Sequence, residues 1–279
     1  MLALANHQVL RDSPGSCSYS VYLGRKLLLF FLTMHGLGAF ALITMGVIWR
    51  KFNVAAKVVH PHIRQEIARS GTALLPMFLF LALALGFLIV GQTVSTLARV
   101  GAGDYLGTMM VIVVVRELGP LLTAMLVLAR VGSANVIELG TARALGEVEA
   151  LEALGIDPVH YLIMPRVIGM ALGVFSLSIY LIIGALTSGY LFAFFQGAPM
   201  TPGDYFHQIA DALGWLDFAL LALKTLAFGF LIAVVTCYNG LAQPLRLEDV
   251  SRVAVRAVTQ GIILCVTLDA FFIILYAIT

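Results

Sequence analysis

The chain has 279 residues, 61% of them hydrophobic and only 11% charged, with a formal net charge of +2. An ordinary soluble domain carries about 25% charged residues, so a soluble protein of this size is excluded: its core could not hide so much apolar surface. The basic residues are scattered, which excludes a nucleic-acid patch, and Cys17, Cys237 and Cys265 show neither metal-ligand nor disulfide-framework spacing.

Met1–Ser20 is polar, lacks the basic-then-apolar pattern of a signal peptide and reads as a short cytoplasmic arm. Leu27–Trp49 is an apolar run with Arg25 and Lys26 before it and Arg50, Lys51 and Lys57 after it. Five later segments reach the roughly 20 residues that a bilayer core requires. They are Thr72–Leu97, Tyr105–Val131, Val159–Phe195, Trp215–Tyr238 and Ala257–Ile278. The third is long enough to hold a tilt, a break or an extension beyond the bilayer.

Orientation follows from the basic residues. With Arg50–Arg69 cytoplasmic and five crossings after it, only Arg99 of the 17 Lys and Arg falls in an outer loop. Arg116 and Lys224 lie inside helices, and the rest are cytoplasmic or at that boundary, as the positive-inside rule requires. The N-terminus is then cytoplasmic and Thr279 lies outside. A spanning Leu27–Trp49 would break the rule at one end, whereas an interfacial or re-entrant helix would not. The expected fold is therefore all-α: five transmembrane helices preceded by an N-terminal interfacial or re-entrant helix within residues 1–65. Gln196–Gly214 is the largest outer loop, with Asp204, Asp211 and a short surface helix over Tyr205–Leu213.

The second span contains Val115-Arg116-Glu117-Leu118-Gly119-Pro120. Counted from Asp104 and Arg130, Arg116 sits about 18–21 Å from either end, mid-membrane. A charge there is costly unless paired or hydrated. Pro120 adds to this, because a helical proline leaves the carbonyl four residues earlier, that of Arg116, without its donor. Gly119 and Pro120 mark the kink. Lys224 in the fourth span and Asp269 in the fifth also lie at membrane depth. Together with Arg116 and Glu117 they suit a mutually neutralising cluster. Its role is either a direct one in transport and gating or an ion-pair lock between helices, and the pairing inside it is open.

Past Arg130 the chain leaves the membrane through Val131-Gly132-Ser133-Ala134. Glu138–Leu154 is rich in helix formers but too charged to span. Glu138, Glu149 and Glu152 share one face as an acidic stripe, and Arg143 and Glu147 are spaced to pair. Gly155 ends this helix; Asp157 and Pro158 start the next as N-cap and first helical residue. The segment is either a solvated loop helix or a docking helix for a soluble partner.

Several blocks resemble the MlaE-type permeases, membrane subunits of ABC lipid transporters in the Mla, Mce and chloroplast lipid-import systems. They are Arg116-Glu117-Leu118-Gly119-Pro120, Arg130-Val131-Gly132-Ser133-Ala134, Glu138-Leu139-Gly140-Thr141, Arg143, Ala150-Leu151-Glu152, Asp157-Pro158 and Pro165-Arg166. Val90-Gly91-Gln92, Asn239-Gly240, Ser251-Arg252 and Arg256-Ala257-Val258 extend the likeness from about Glu66 to the C-terminus. It implies a permease domain over residues 66–279 and a homodimer enclosing a lipid-sized apolar cavity in a bacterial inner membrane. It also implies that Glu138–Leu154, with Glu138, Arg143, Glu147, Glu149, Leu151 and Glu152, is the coupling helix seated in a cytoplasmic ABC ATPase, the subunit that uses ATP. The substrate would be phospholipid exchanged with a periplasmic Mce-domain carrier, a task tied to outer membrane lipid asymmetry. Leu85, Leu88, Ile89, Gln92 and Leu118 are the expected cavity residues. Two departures stand out: Gly146-Glu147 where the family commonly has Glu-Gln, and Gln243-Pro244-Leu245-Arg246 where relatives are often Gly-rich.

No phosphate-binding Gly-x-x-x-x-Gly-Lys-Ser/Thr occurs, so any ATP is hydrolysed by a partner, and no cofactor is expected in this chain. Gly101-Ala102-Gly103-Asp104 mimics an intramembrane aspartyl protease motif, but that chemistry needs two carboxylates sharing a proton, and Asp104 suits a helix N-cap. No His-x-x-x-His zinc pair is present. The rival class is an ion-coupled secondary transporter working through Glu117 and Asp269, although the internal repeat common in such folds is missing. Gly103-x-x-x-Gly107 and Gly169-x-x-x-Gly173 permit close helix contacts of the kind a dimer uses.

Overall fold

The computed structural model describes residues 35–50, 56–195, 201–241 and 247–278, and among them there is no strand. The polar arm, the start of the Leu27–Trp49 run, 196–200 of the outer loop and the Gln243–Arg246 connection lie outside the described residues. The chain divides into two units at Leu42 and Ile43. Helix α1 covers 35–50; the remaining elements belong to the second unit.

Among the described residues, five helices are long and apolar enough to cross a membrane: α2 (Pro61–Leu97), α3 (Leu106–Ala144), α5 (Val159–Phe195), α7 (Trp215–Leu241) and α8 (Leu247–Tyr276). The short helices α4 (Glu147–Ala153) and α6 (Pro202–Ala212) lie between them. The chain is thus an all-α, multi-pass membrane protein. Where the helices exceed the expected spans, they do so at one end of the bundle. Helix α2 starts before Thr72, α3 continues past Val131, and α8 starts before Ala257. Hydropathy registers only the apolar part, whereas a helix continues while its backbone pairs internally and its residues favour it. At the opposite end, the exposed rings of Tyr105, Phe194, Phe195 and Trp215 form a belt suited to a lipid–water boundary.

Helix α5 is the hub, packed against α2 on one side and α7 on the other. Glycines allow the backbones to meet. A Cβ on Gly169 or Gly173 would collide with Glu66 or Ser70 of α2, and one on Gly229 of α7 would come within 2.5 Å of the Ala171 Cα. The spacing of Gly169 and Gly173, read as suited to a dimer, is therefore consumed inside the chain. Gly107 is likewise taken up by the backbone of Gln208 on α6, while Gly103 has nothing near it.

Among the described residues, four stretches adopt π-helical geometry: Gly86–Gly91, Val111–Leu118, Leu128–Gly132 and Val159–Ile163. Two of them hold the residue four before a proline, Arg116 before Pro120 and Tyr161 before Pro165. The missing donor there loosens the regular ladder.

The surface helix α6 begins three residues before the expected Tyr205. Thr201 caps it by accepting from the Asp204 amide at 3.2 Å, and Pro202 takes the first position. Its buried Tyr205 donates to the Leu186 carbonyl at 3.2 Å, anchoring α6 on the end of α5.

The segment after Arg130 needs the largest correction. The single helix expected over Glu138–Leu154 is two. Helix α3 runs through Glu138 to Ala144, the chain turns at Leu145-Gly146, and α4 starts afresh at Glu147. Gly146 has φ +78 and Gly155 φ +75, left-handed values that cost other residues roughly 1–2 kcal/mol. The glycine that departs from the family pattern is thus where the helix breaks. Asp157 accepts from the Val159 amide at 3.0 Å, capping α5 as its sequence suggests.

Candidate functional site

The membrane charges converge through Pro120. The Arg116 carbonyl, deprived of its helical donor, accepts instead from Lys224 Nζ at 2.8 Å. The same ammonium reaches Glu117 Oε2 at 3.1 Å and Asp269 Oδ1 at 2.7 Å. Two hydrogen bonds, to the Arg116 carbonyl and Glu117, and the ion pair with Asp269 explain how a lysine side chain at 0% exposure is held inside an apolar bundle.

Arg116 takes a different partner. Its Nε lies 2.8 Å from Asp217 Oδ1, and its guanidinium sits 5.0 Å from the ring centre of Tyr276, with Lys224 5.9 Å from that ring. Asp217 also accepts from the Gly214 amide at 3.0 Å, within the first turn of α7, where a carboxylate suits the helix dipole. The four expected charges therefore meet, but in a five-charge group of two cations and three carboxylates that ties α3, α7 and α8 together.

Asp217 and Tyr276 are the members that sequence reasoning missed. A signal was available, since Asp217 lies seven residues before Lys224 and Tyr276 seven after Asp269, the spacing that returns to the same helix face. Arg116 lies ten residues, about 15 Å, into α3 from Leu106, and its partner Asp217 is two residues from Trp215.

Gly119 passes close to Ile182 of α5, whose side chain a Cβ would strike. Beside it, Leu85, Ile89 and Leu118 line an apolar crevice with Val90, Val114 and Ile182, of only ≈ 10 Å³. That is about one water, against the roughly 300 Å³ at which ligand pockets begin. Leu88 is 73% exposed and Gln92 also faces outward, so neither joins the crevice.

At the opposite end, Glu138 is not part of an acidic stripe. It accepts from both terminal nitrogens of Arg69, one at 2.7 Å, and from Arg166 Nη2 at 3.1 Å. The turn at Gly146 also changes the partner of Arg143, which pairs with Glu149 at 3.5 Å instead of Glu147. Glu147, Glu149 and Glu152 remain exposed on α4 and Leu151 is half-buried. Leu145, Leu154 and Ile156 are exposed around them, giving an acidic surface with apolar points. Among the described residues no group of three His, Cys, Asp or Glu could hold a metal ion.

A family model described as "Permease MlaE" matches residues 63–275. A "probable ABC transporter permease protein" of Rickettsia prowazekii is 30% identical over 179 residues, covering 64% of this chain and 69% of the relative. One of the same description from Synechocystis is 29% identical over 269 residues, 95% of each chain. The Arabidopsis thaliana protein "TRIGALACTOSYLDIACYLGLYCEROL 1, chloroplastic" is 29% identical over 201 residues, 71% of this chain and 57% of the relative.

Proposed function

The chain belongs to the MlaE permease family, and from that membership we propose that this ABC transporter permease moves phospholipid or a similar amphiphile, driven by a separate cytoplasmic ATPase. The observation that carries the reading is the projecting segment 145–156. Here exposed Leu145, Leu154 and Ile156 surround the carboxylates of Glu147, Glu149 and Glu152. Large exposed apolar groups outside the spans are costly in water and suit a protein groove. A lipid substrate is supported by the apolar character of the five helices and by the relative named for the galactolipid trigalactosyldiacylglycerol.

Two copies are part of this proposal. The crevice near the kink holds only ≈ 10 Å³, and the apolar groove of ≈ 390 Å³ beside Ile137, Ala254, Val255 and Val258 is open to the outside; an enclosed lipid-sized space is assigned to the gap between two copies. The membrane is a bacterial inner membrane, with α4 cytoplasmic and the Trp215 end periplasmic, the orientation the basic residues favour. Helix α1, with exposed Leu42, Ile43, Met45 and Trp49, lies in the cytoplasmic interface. Lipid passes to or from a periplasmic Mce-type carrier at the belted end.

Closure of the ATPase pair pushes α4, tilts the attached helices and changes the space between the two copies. The cluster of Arg116, Glu117, Lys224, Asp217 and Asp269 favours one arrangement of α3, α7 and α8 by holding them in contact. An ion-coupled transporter would need Glu117 or Asp269 free to take up a proton or cation, and both grip Lys224. Purification through a tag on this chain should yield two copies of it with an ATPase subunit. Recovery of the chain alone, with lipid movement driven by a pH gradient, would overturn the proposal.

A further inference from the structure

The segment 145–158 stands on two stems, the end of α3 and the start of α5, and a charge network joins those stems directly. Glu138 of α3 holds Arg166 of α5 at 3.1 Å and grips Arg69 of α2 through both guanidinium nitrogens. Arg166 in turn lies 3.5 Å from Glu66 of α2, with side chains only 13% and 14% exposed. Two cations and two carboxylates therefore balance across three helices. The packing beneath is close: Ser70 of α2 donates to the Gly169 carbonyl of α5 at 2.7 Å, and a Cβ on Gly169 would come within 2.6 Å of the Glu66 Cβ. Glu138 precedes the Gly146 turn by about two helical turns, and Arg166 follows Asp157 by slightly more.

We propose that Glu66, Arg69, Glu138 and Arg166 act as a staple that transmits displacement of α4 into the membrane helices. With the stems free to spread, a push on α4 would be absorbed by widening the gap between α3 and α5. With the stems joined, the push moves the ends of α2, α3 and α5 as one block. Glu138 is then a positioning residue for transport and makes no contact with the ATPase, unlike Glu147, Glu149 and Glu152. The inference rests on the reading that 145–156 docks on an ATPase.

The test uses the complex purified from native membranes through a tag on this chain, in phosphatidylethanolamine–phosphatidylglycerol vesicles carrying fluorescent phosphatidylethanolamine. Glu138→Gln should retain the ATPase subunit and hydrolyse ATP within about twofold of the parent, while lipid moved per ATP falls about tenfold. Glu138→Asp should restore part of that ratio. Arg69→Gln, which leaves the Glu138–Arg166 pair in place, should lower it by less. An unchanged ratio in Glu138→Gln would overturn the staple, as would loss of the ATPase subunit, which would make Glu138 a docking residue. If Glu138→Gln does not accumulate, an unchanged ratio in Arg69→Gln overturns it. Failure of the parent chain to retain any ATPase would instead defeat the docking reading, before any variant is made.

Discussion

Lys224 is the keystone of the membrane cluster, and its replacement by Met keeps the volume while deleting the charge. Glu117 and Asp269 would then face each other without the ammonium between them, and the Arg116 carbonyl would lose its donor. Removing one partner of a buried pair costs about 3–5 kcal/mol. Asp269 is nearly buried, but the Glu117 side chain is 28% exposed, so water offsets part of its loss and the low end, about 3 kcal/mol, applies. At about 2–4 °C per kcal/mol for a chain of this size, the melting temperature of the detergent-solubilised protein should fall by about 6–12 °C. Adding Asp269→Asn removes one stranded carboxylate and should recover about half of that loss. A drop below about 2 °C for Lys224→Met, or no recovery in the double variant, would refute the idea that Lys224 neutralises this pair.

Arg116→Ala should abolish phospholipid transport while leaving assembly intact, because Asp217 keeps the Gly214 amide and the start of α7 as partners; normal transport by the purified complex would contradict this. Glu147→Lys reverses an exposed charge on α4 and should release the ATPase, read as loss of its band in co-purification. Gly229→Ala drives a methyl into the Ala171 backbone, which cannot yield as a side-chain tip could. It should cost about 1–3 kcal/mol, measured as a lower melting temperature with the pairing chemistry untouched.

The five spans were legible because the bilayer demands about 20 apolar residues in a row, and a soluble fold rarely needs so long an uninterrupted run. Pro120 was legible for a similar reason, since a proline's missing donor is a local fact, and Lys224 fills the vacancy at the carbonyl of Arg116. Pairings between helices were not, because they depend on rotation and depth that no single segment fixes. Asp217 sits at a loop boundary where an acid is commonplace, and only the position of α7 beside α3 turns it into the partner of Arg116. Glu138 shows the same difficulty in the segment after Arg130. Its helical spacing relative to Glu149 and Glu152 has meaning only on one unbroken helix, and the turn at Gly146 removes that relation. The family likeness covered both regions, yet it could not say which carboxylate faces inward and which faces a partner.

The most direct measurement follows fluorescent phospholipid in vesicles containing the tagged chain and whatever ATPase remains bound to it. Lipid should move with ATP, stop with a non-hydrolysable analogue, and stop when the ATPase is stripped away. Movement that persists without the ATPase, or that follows an imposed pH gradient instead of ATP, would contradict a permease powered through α4 by another polypeptide.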